Sequence, residues 1–201
     1  VRNLPGATTA AKAQFIFFFQ WRARWLLQKL DCGDYPSHML KDGDRIRTEG
    51  ATLVAMHTPG HAIDHMSFLL EEEHSLFSGD HVLGWGTTLV FDMQDYMATL
   101  RRMLALKPAR LYPGHGGFIE DGVDILTRYT EHRERREEQA WEALLAKSRP
   151  VPIVEIAQEL YPNTPQERLS MAKDNIEKLF RKFAADGSAG AWTMSVDAGG
   201  T

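Results

Sequence analysis

The chain has 201 residues, 43% hydrophobic and 25% charged, which is ordinary globular composition with room for one mid-sized domain and a small one. A formal charge of -4 gives no global basic field, so any contact with nucleic acid must come from a local patch. The single cysteine, Cys32, excludes an internal disulfide and a cysteine-rich zinc knuckle, leaves His and carboxylates to hold any metal, and fits a reducing compartment.

Residues 1–38 read as an atypical N-terminal segment. The first thirty hold Arg2, Lys12, Arg22, Arg24 and Lys29 without an acid, a bias that resembles a mitochondrial presequence, the other readings being ordinary fold sequence or an irregular exon beside a truncation. A start at Val1 fits methionine removal and, better, a piece of a longer protein. The apolar run from Phe15 to Phe19 is too short to span a bilayer, and Arg22 and Arg24 interrupt its continuation, so no membrane partner is expected.

From residue 39 to about 130 the pattern is that of an α/β domain. Met39 to Ile46 predicts a short strand, a turn at Asp42-Gly43 and a second strand. Ala51 to His57 follows as a strand, Thr58-Pro59-Gly60 breaks it, and Met66 to Leu70 is a strand ending in the charged turn Glu71-Glu72-Glu73. Leu76-Phe77-Ser78 is another. Asp92 to Leu106 places Met93, Tyr96, Met97, Leu100, Met103 and Leu104 on one helical face, with Asp92 as N-cap. After Pro108, Arg110-Leu111-Tyr112 predicts a buried strand that opens into the loop Pro113-Gly114-His115-Gly116-Gly117.

A long helix is expected over 124–147, its charged part from 131 to 149 acting as a connector, with Trp141, Leu144 and Leu145 facing the core of the terminal unit. Residues 150–201 then read as helix Ile153–Leu160, a Pro-containing turn and helix Gln166–Asp186, a helix-turn-helix that a following wing would complete as a winged helix.

The chemistry concentrates at His61, Asp80 and His115, each just after a strand in a loop with Gly or Pro. Strand-end loops fix a ligand, and glycine lets the backbone come close to it. Imidazoles with one carboxylate suit a borderline divalent ion such as zinc, and an Asp can bridge two ions. Asp64 and His65 are candidates to orient His61 from behind. Thr87 and Thr88 read as turn packing or cleft lining, His81 as a loop-orienting residue, and Lys173, Lys178, Arg181 and Lys182 as a solvated face interleaved with acids rather than a phosphate-binding stripe.

The ordered set Thr58-Pro59-Gly60-His61, Ser78-Gly79-Asp80 and Tyr112-Pro113-Gly114-His115-Gly116 resembles the later motifs of the metallo-beta-lactamase superfamily. From Lys41 to about Asp186, including His65 and Gly84-Trp85-Gly86-Thr87-Thr88, the chain is similar to the beta-lactamase-like protein 2 group. The resemblance implies a partial αββα sandwich followed by a small helical, winged-helix-like domain. It implies that His61 serves one metal, His115 the other and Asp80 both, with Asp80 catalytic and up to two zinc ions in the complete protein. It further implies an endoribonuclease cleaving single-stranded RNA in the mitochondrial matrix, the cytoplasm being the alternative location.

The superfamily's first motif, H-x-H-x-D-H, has no counterpart in residues 1–40, where His38 is the only histidine. Each metal would then keep about two protein ligands where about three or four are typical, and affinity in this chain is expected to fall steeply. Whether this chain by itself is an enzyme is left open on that ground. Two other readings follow: a truncated, non-catalytic form of the protein, and a glyoxalase-like thioester hydrolase of the same fold.

Overall fold

The computed structural model describes residues 40–187, which divide into two compact units, one ending at Thr130 and the other beginning at Glu131. The expected atypical segment, 1–38, and the expected wing, 188–201, lie outside the described residues.

In the first unit, strands β1 (Arg45–Thr48), β2 (Ala51–His57), β3 (Met66–Leu70), β4 (Ser75–Gly79) and β5 (Leu111–Pro113) form one mixed sheet in the order of the chain. The first three junctions are antiparallel, β1–β2 and β3–β4 joined by short turns and β2–β3 by the loop 58–65, whereas β4 and β5 are parallel and are joined by a crossover containing helix α1 (Met93–Ala105). β2 alternates, so Ala51, Leu53 and Ala55 share one face and pack with Phe68, Leu70 and Phe77. β4, flanked by β3 and β5, is buried along its whole length, whereas β1, outermost among the described strands, is exposed at Arg45 and Arg47.

Of the strand expected before Asp42-Gly43, Met39 lies outside the described residues, and Leu40 and Lys41 are not in a strand. Leu40 is irregular, and Lys41 to Asp44 make a turn in which the Asp44 carboxylate takes the Lys41 N–H at 2.8 Å. A local side-chain acceptor competes there with strand pairing.

Helix α1 begins as its sequence predicts, with the Asp92 carboxylate accepting from the Asp95 N–H at 2.8 Å. Its apolar stripe is buried, Tyr96, Leu100 and Met103 completely, and each such side chain contributes on the order of 1.5–3 kcal/mol of transfer free energy. The same helix reaches the loop after β2: Thr99 Oγ1 donates to the Pro59 carbonyl at 2.9 Å, and Arg102 donates to the His57 carbonyl at 3.1 Å and to Asp42 Oδ2 at 2.8 Å.

Helix α2 (Gly122–Leu145) runs from the first unit into the second, which continues with α3 (Ile153–Leu160), a 3-10 turn at Gln166–Arg168 and α4 (Leu169–Ala185). The last helix thus starts three residues later than the sequence predicts, because the segment after Pro165 winds first as a tighter turn. In the second unit Trp141 meets Phe183 edge-on at 5.0 Å and Leu144 is buried, as expected, but Leu145 is exposed, being one residue off that face. Among the described residues no helix is long and apolar enough to cross a membrane.

Candidate metal centre

Three strand ends build the site. β2 is followed by Thr58-Pro59-Gly60-His61, in a loop closed where the Thr58 N–H donates to the His65 carbonyl at 2.9 Å. β4 leads to Asp80 and β5 to Gly114-His115. Because β4 and β5 are parallel, with Gly79 opposite Pro113, the residues that follow them emerge side by side, and the Gly114 N–H donates to the Gly79 carbonyl at 2.7 Å.

That juxtaposition sets His115 Nε2 3.4 Å from Asp80 Oδ1. Two ligands about 2.0–2.2 Å from one tetrahedral ion stand about 3.4 Å apart, so the pair fits a shared divalent ion. Gly114 makes the approach feasible: a Cβ there would stand 2.5 Å from Asp80 Oδ1. Among the described residues no three His, Cys, Asp or Glu side chains converge as a set able to hold a metal ion. The geometry therefore brings Asp80 and His115 together and does not join His61 to them as a third ligand.

His61 is tied to the pair through the backbone. Its Nδ1 lies 2.8 Å from the Leu89 carbonyl and 3.2 Å from Thr88 Oγ1, and the Thr88 hydroxyl donates to the Asp80 carbonyl. Donation from Nδ1 to Leu89 leaves Nε2 as the lone-pair nitrogen, an arrangement common to metal-binding histidines. Asp64 is exposed, and the acceptor that orients His61 is this carbonyl of Leu89. Thr88, read from sequence as turn or cleft, is 6% exposed and joins the His61 and Asp80 loops.

His65 sits between the same loops, with both ring nitrogens engaged: Nδ1 lies 2.7 Å from Thr58 Oγ1, and Nε2 accepts the Asp80 N–H at 3.2 Å. Burial holds its imidazole down to about 4; the nearby His61 adds to the shift and Asp80 opposes it. His81 is buried and stacked on Tyr96 with ring centroids 4.3 Å apart, and the Tyr96 hydroxyl donates to the His81 carbonyl at 2.8 Å. The sequence gives no sign of Ser67 or the Leu89 carbonyl at the site, and of Thr58 only its place in the motif before His61. The signal for two of them is a polar residue, Thr58 or Ser67, fully buried at the border of an apolar strand.

On α4, Lys178 pairs with Asp174 at 2.5 Å, Arg181 with Glu177 at 2.7 Å, and Lys182 with Glu137 at 2.5 Å and Asp186 at 2.7 Å. Interleaved acids meet these cations, but of the three only Arg181 stands in a solvated face, since the Lys178 and Lys182 side chains are 19% and 12% exposed.

The family model of the metallo-beta-lactamase superfamily matches residues 12–115. The chain belongs to that superfamily, whose members are hydrolase-type proteins that usually bind metal ions. Among its relatives, the beta-lactamase-like protein 2 homolog of Caenorhabditis elegans is 37% identical over 150 residues, 75% of this chain and 50% of the relative. The Drosophila melanogaster homolog is 34% identical over 155 residues, 77% of this chain and 53% of the relative. An atrochrysone carboxyl ACP thioesterase of Paecilomyces divaricatus is 47% identical over 111 residues, 55% of this chain and 35% of the relative. The chain thus spans about half the length, or less, of these curated relatives. A beta-lactamase domain protein from Burkholderia ambifaria shares the fold with a TM-score of 0.66 at 18% identity, covering 89% of this chain and 56% of that one. A metallo-beta-lactamase family protein from Thermus thermophilus does so with a TM-score of 0.60 at 23% identity, covering 84% and 60%.

Proposed function

We propose that the complete protein is a zinc-dependent endoribonuclease acting on single-stranded RNA in the mitochondrial matrix, and that this chain carries the Asp80–His115 half of its metal site. The observation that carries the hydrolase reading is the 3.4 Å approach of His115 Nε2 to Asp80 Oδ1. When bound, zinc would polarise a phosphoryl oxygen and lower the pKa of a coordinated water to about 7. Asp80 and His115 would hold it, with His61 presenting Nε2 and Thr88 keeping the His61 and Asp80 loops in register. Exposed rings stand beside the His115 loop and beside His61. Trp85 lies against Gly116, where a Cβ would come within 2.5 Å of its Cδ1, and the ring of Phe91 is 6.3 Å from that of His61. Rings presented in this way suit unpaired bases, which bind largely by stacking.

A second reading is thioester hydrolysis, favoured by the thioesterase name of a relative 47% identical over 111 residues. What weighs for the first is extent: the match of 150 residues to a beta-lactamase-like protein 2 homolog is too long to lie within residues 1–130 and so reaches the second unit.

The test is zinc content and turnover of labelled single-stranded RNA and of an acyl thioester, for this chain and for the protein extended upstream to include an H-x-H-x-D-H motif. RNA cleavage by the extended protein, lost in Asp80→Ala, is expected. Thioester hydrolysis with intact RNA would establish the second reading, and zinc binding without either activity would overturn both. Matrix location is checked by mitochondrial subfractionation, a cytosolic signal counting against it.

A further inference from the structure

We propose that His65 is a positioning residue for Asp80, the neutral centre of a directional hydrogen-bond chain that starts and ends on the Ser78-Gly79-Asp80 turn. The Asp80 backbone N–H can only donate, so the 3.2 Å contact makes His65 Nε2 the acceptor. A neutral imidazole then carries its proton on Nδ1, which donates to Thr58 Oγ1 at 2.7 Å. The single Thr58 hydroxyl proton has two acceptors in reach, the His65 carbonyl at 3.4 Å and the nearer Ser67 Oγ at 3.0 Å; donated to Ser67, it leaves the Ser67 hydroxyl to close the chain by a long 3.5 Å contact to the Ser78 carbonyl.

The links run through the interior. Thr58, Ser67 and Ser78 are fully buried, so water does not replace a lost partner cheaply. The turn is shaped around the ring as well: Gly79 has φ +55°, and a Cβ on it would stand 2.7 Å from His65 Nε2. A larger residue there would displace the imidazole from the Asp80 N–H. The chain therefore fixes the peptide on which the Asp80 carboxylate rides, and with it the approach to His115. It also fixes His65 as an acceptor whose two nitrogens are committed inside the protein, which assigns it to support of the site and not to ligation.

The importance given to Asp80 rests on the metal-site reading above, but the hydrogen-bond chain needs neither metal nor substrate, so each can fail without the other. The experiment is nitrogen-15 NMR of the full metal-free chain, correlating the His65 ring nitrogens with its ring protons. The expected spectrum has a protonated Nδ1, a pyridine-like Nε2 and a coupling from Nε2 to the Asp80 amide. Thr58→Val should raise Asp80 amide hydrogen exchange at least tenfold, and Thr58→Ser should restore protection, which bulk alone would not explain. A protonated Nε2 in the wild-type chain would overturn the proposal even if the Thr58→Val variant did not fold. So would unchanged Asp80 exchange in a folded Thr58→Val.

Discussion

Gly114 and Asp80 are in steric contact by necessity: the carboxylate occupies the space where a side chain on residue 114 would begin, 2.5 Å from an added Cβ. Gly114→Ala should therefore push the Asp80 carboxylate away from His115. Overpacking of this kind costs about 1–3 kcal/mol, and zinc uptake by the extended protein should fall with it. Urea denaturation together with a chelator competition checks both. A variant with wild-type zinc affinity would mean that the approach of Asp80 to His115 is not part of the metal site.

Thr88 bonds the Asp80 carbonyl and lies 3.2 Å from His61 Nδ1 while almost fully buried. Thr88→Val keeps the shape and removes the hydroxyl, leaving a carbonyl without its donor at a cost of about 1–3 kcal/mol. Thr88→Ser should recover most of that loss. Midpoints of urea unfolding decide the matter, and equal midpoints for the Val and Ser variants would contradict the assignment.

The pH dependence of stability carries a signature of His65. Its folded-state value is lowered to about 4 from 6.5, chiefly by burial and next by His61, against the pull of Asp80. A histidine with a lowered value contributes stability that is fully present above about pH 6.5, because there neither state binds the proton. As pH falls from about 6.5 to about 4, the unfolded chain is protonated first and stability declines, by about 3 kcal/mol at most. In the metal-free chain, His65→Gln should flatten this slope relative to wild type. Parallel profiles for the two proteins would show that His65 is protonated as readily when folded as when unfolded.

In the second unit, the Lys182 ammonium lies between Glu137 and Asp186 at 2.5 and 2.7 Å, with its side chain 12% exposed. Burial disfavours its charge, but the two carboxylates outweigh burial and raise its pKa. Lys182→Met would retain the packing and strand the half-buried Glu137, lowering stability by about 1–2 kcal/mol. Thermal unfolding of the double variant with Glu137→Gln should recover part of the loss, and no recovery would show that the pair is uncoupled.

Local signals carried most of the fold. Asp92 caps α1 and the stripe from Met93 to Met103 is buried, because capping and 3.6-residue periodicity are written within one segment. The turn at Asp42-Gly43 and the strand after it are written in the sequence as well, whereas at Leu40 and Lys41 the Asp44 side chain competes with the backbone ladder, a contest that periodicity does not register.

The sequence by itself determined that His61, Asp80 and His115 stand in strand-end loops, since each follows an apolar run broken by Gly or Pro. Only the tertiary structure decided which of them meet. Parallel pairing of β4 with β5 sets Asp80 against His115, and the Leu89 carbonyl and Thr88 hydroxyl, arriving from the crossover before α1, hold the His61 ring and link its loop to the Asp80 carbonyl. The role of His65 was likewise out of reach of sequence spacing, because its partner is a backbone N–H. Every residue but proline offers that donor, so the identity of Asp80 could not announce it, and only the approach of the β4 end to the loop between β2 and β3 selects it.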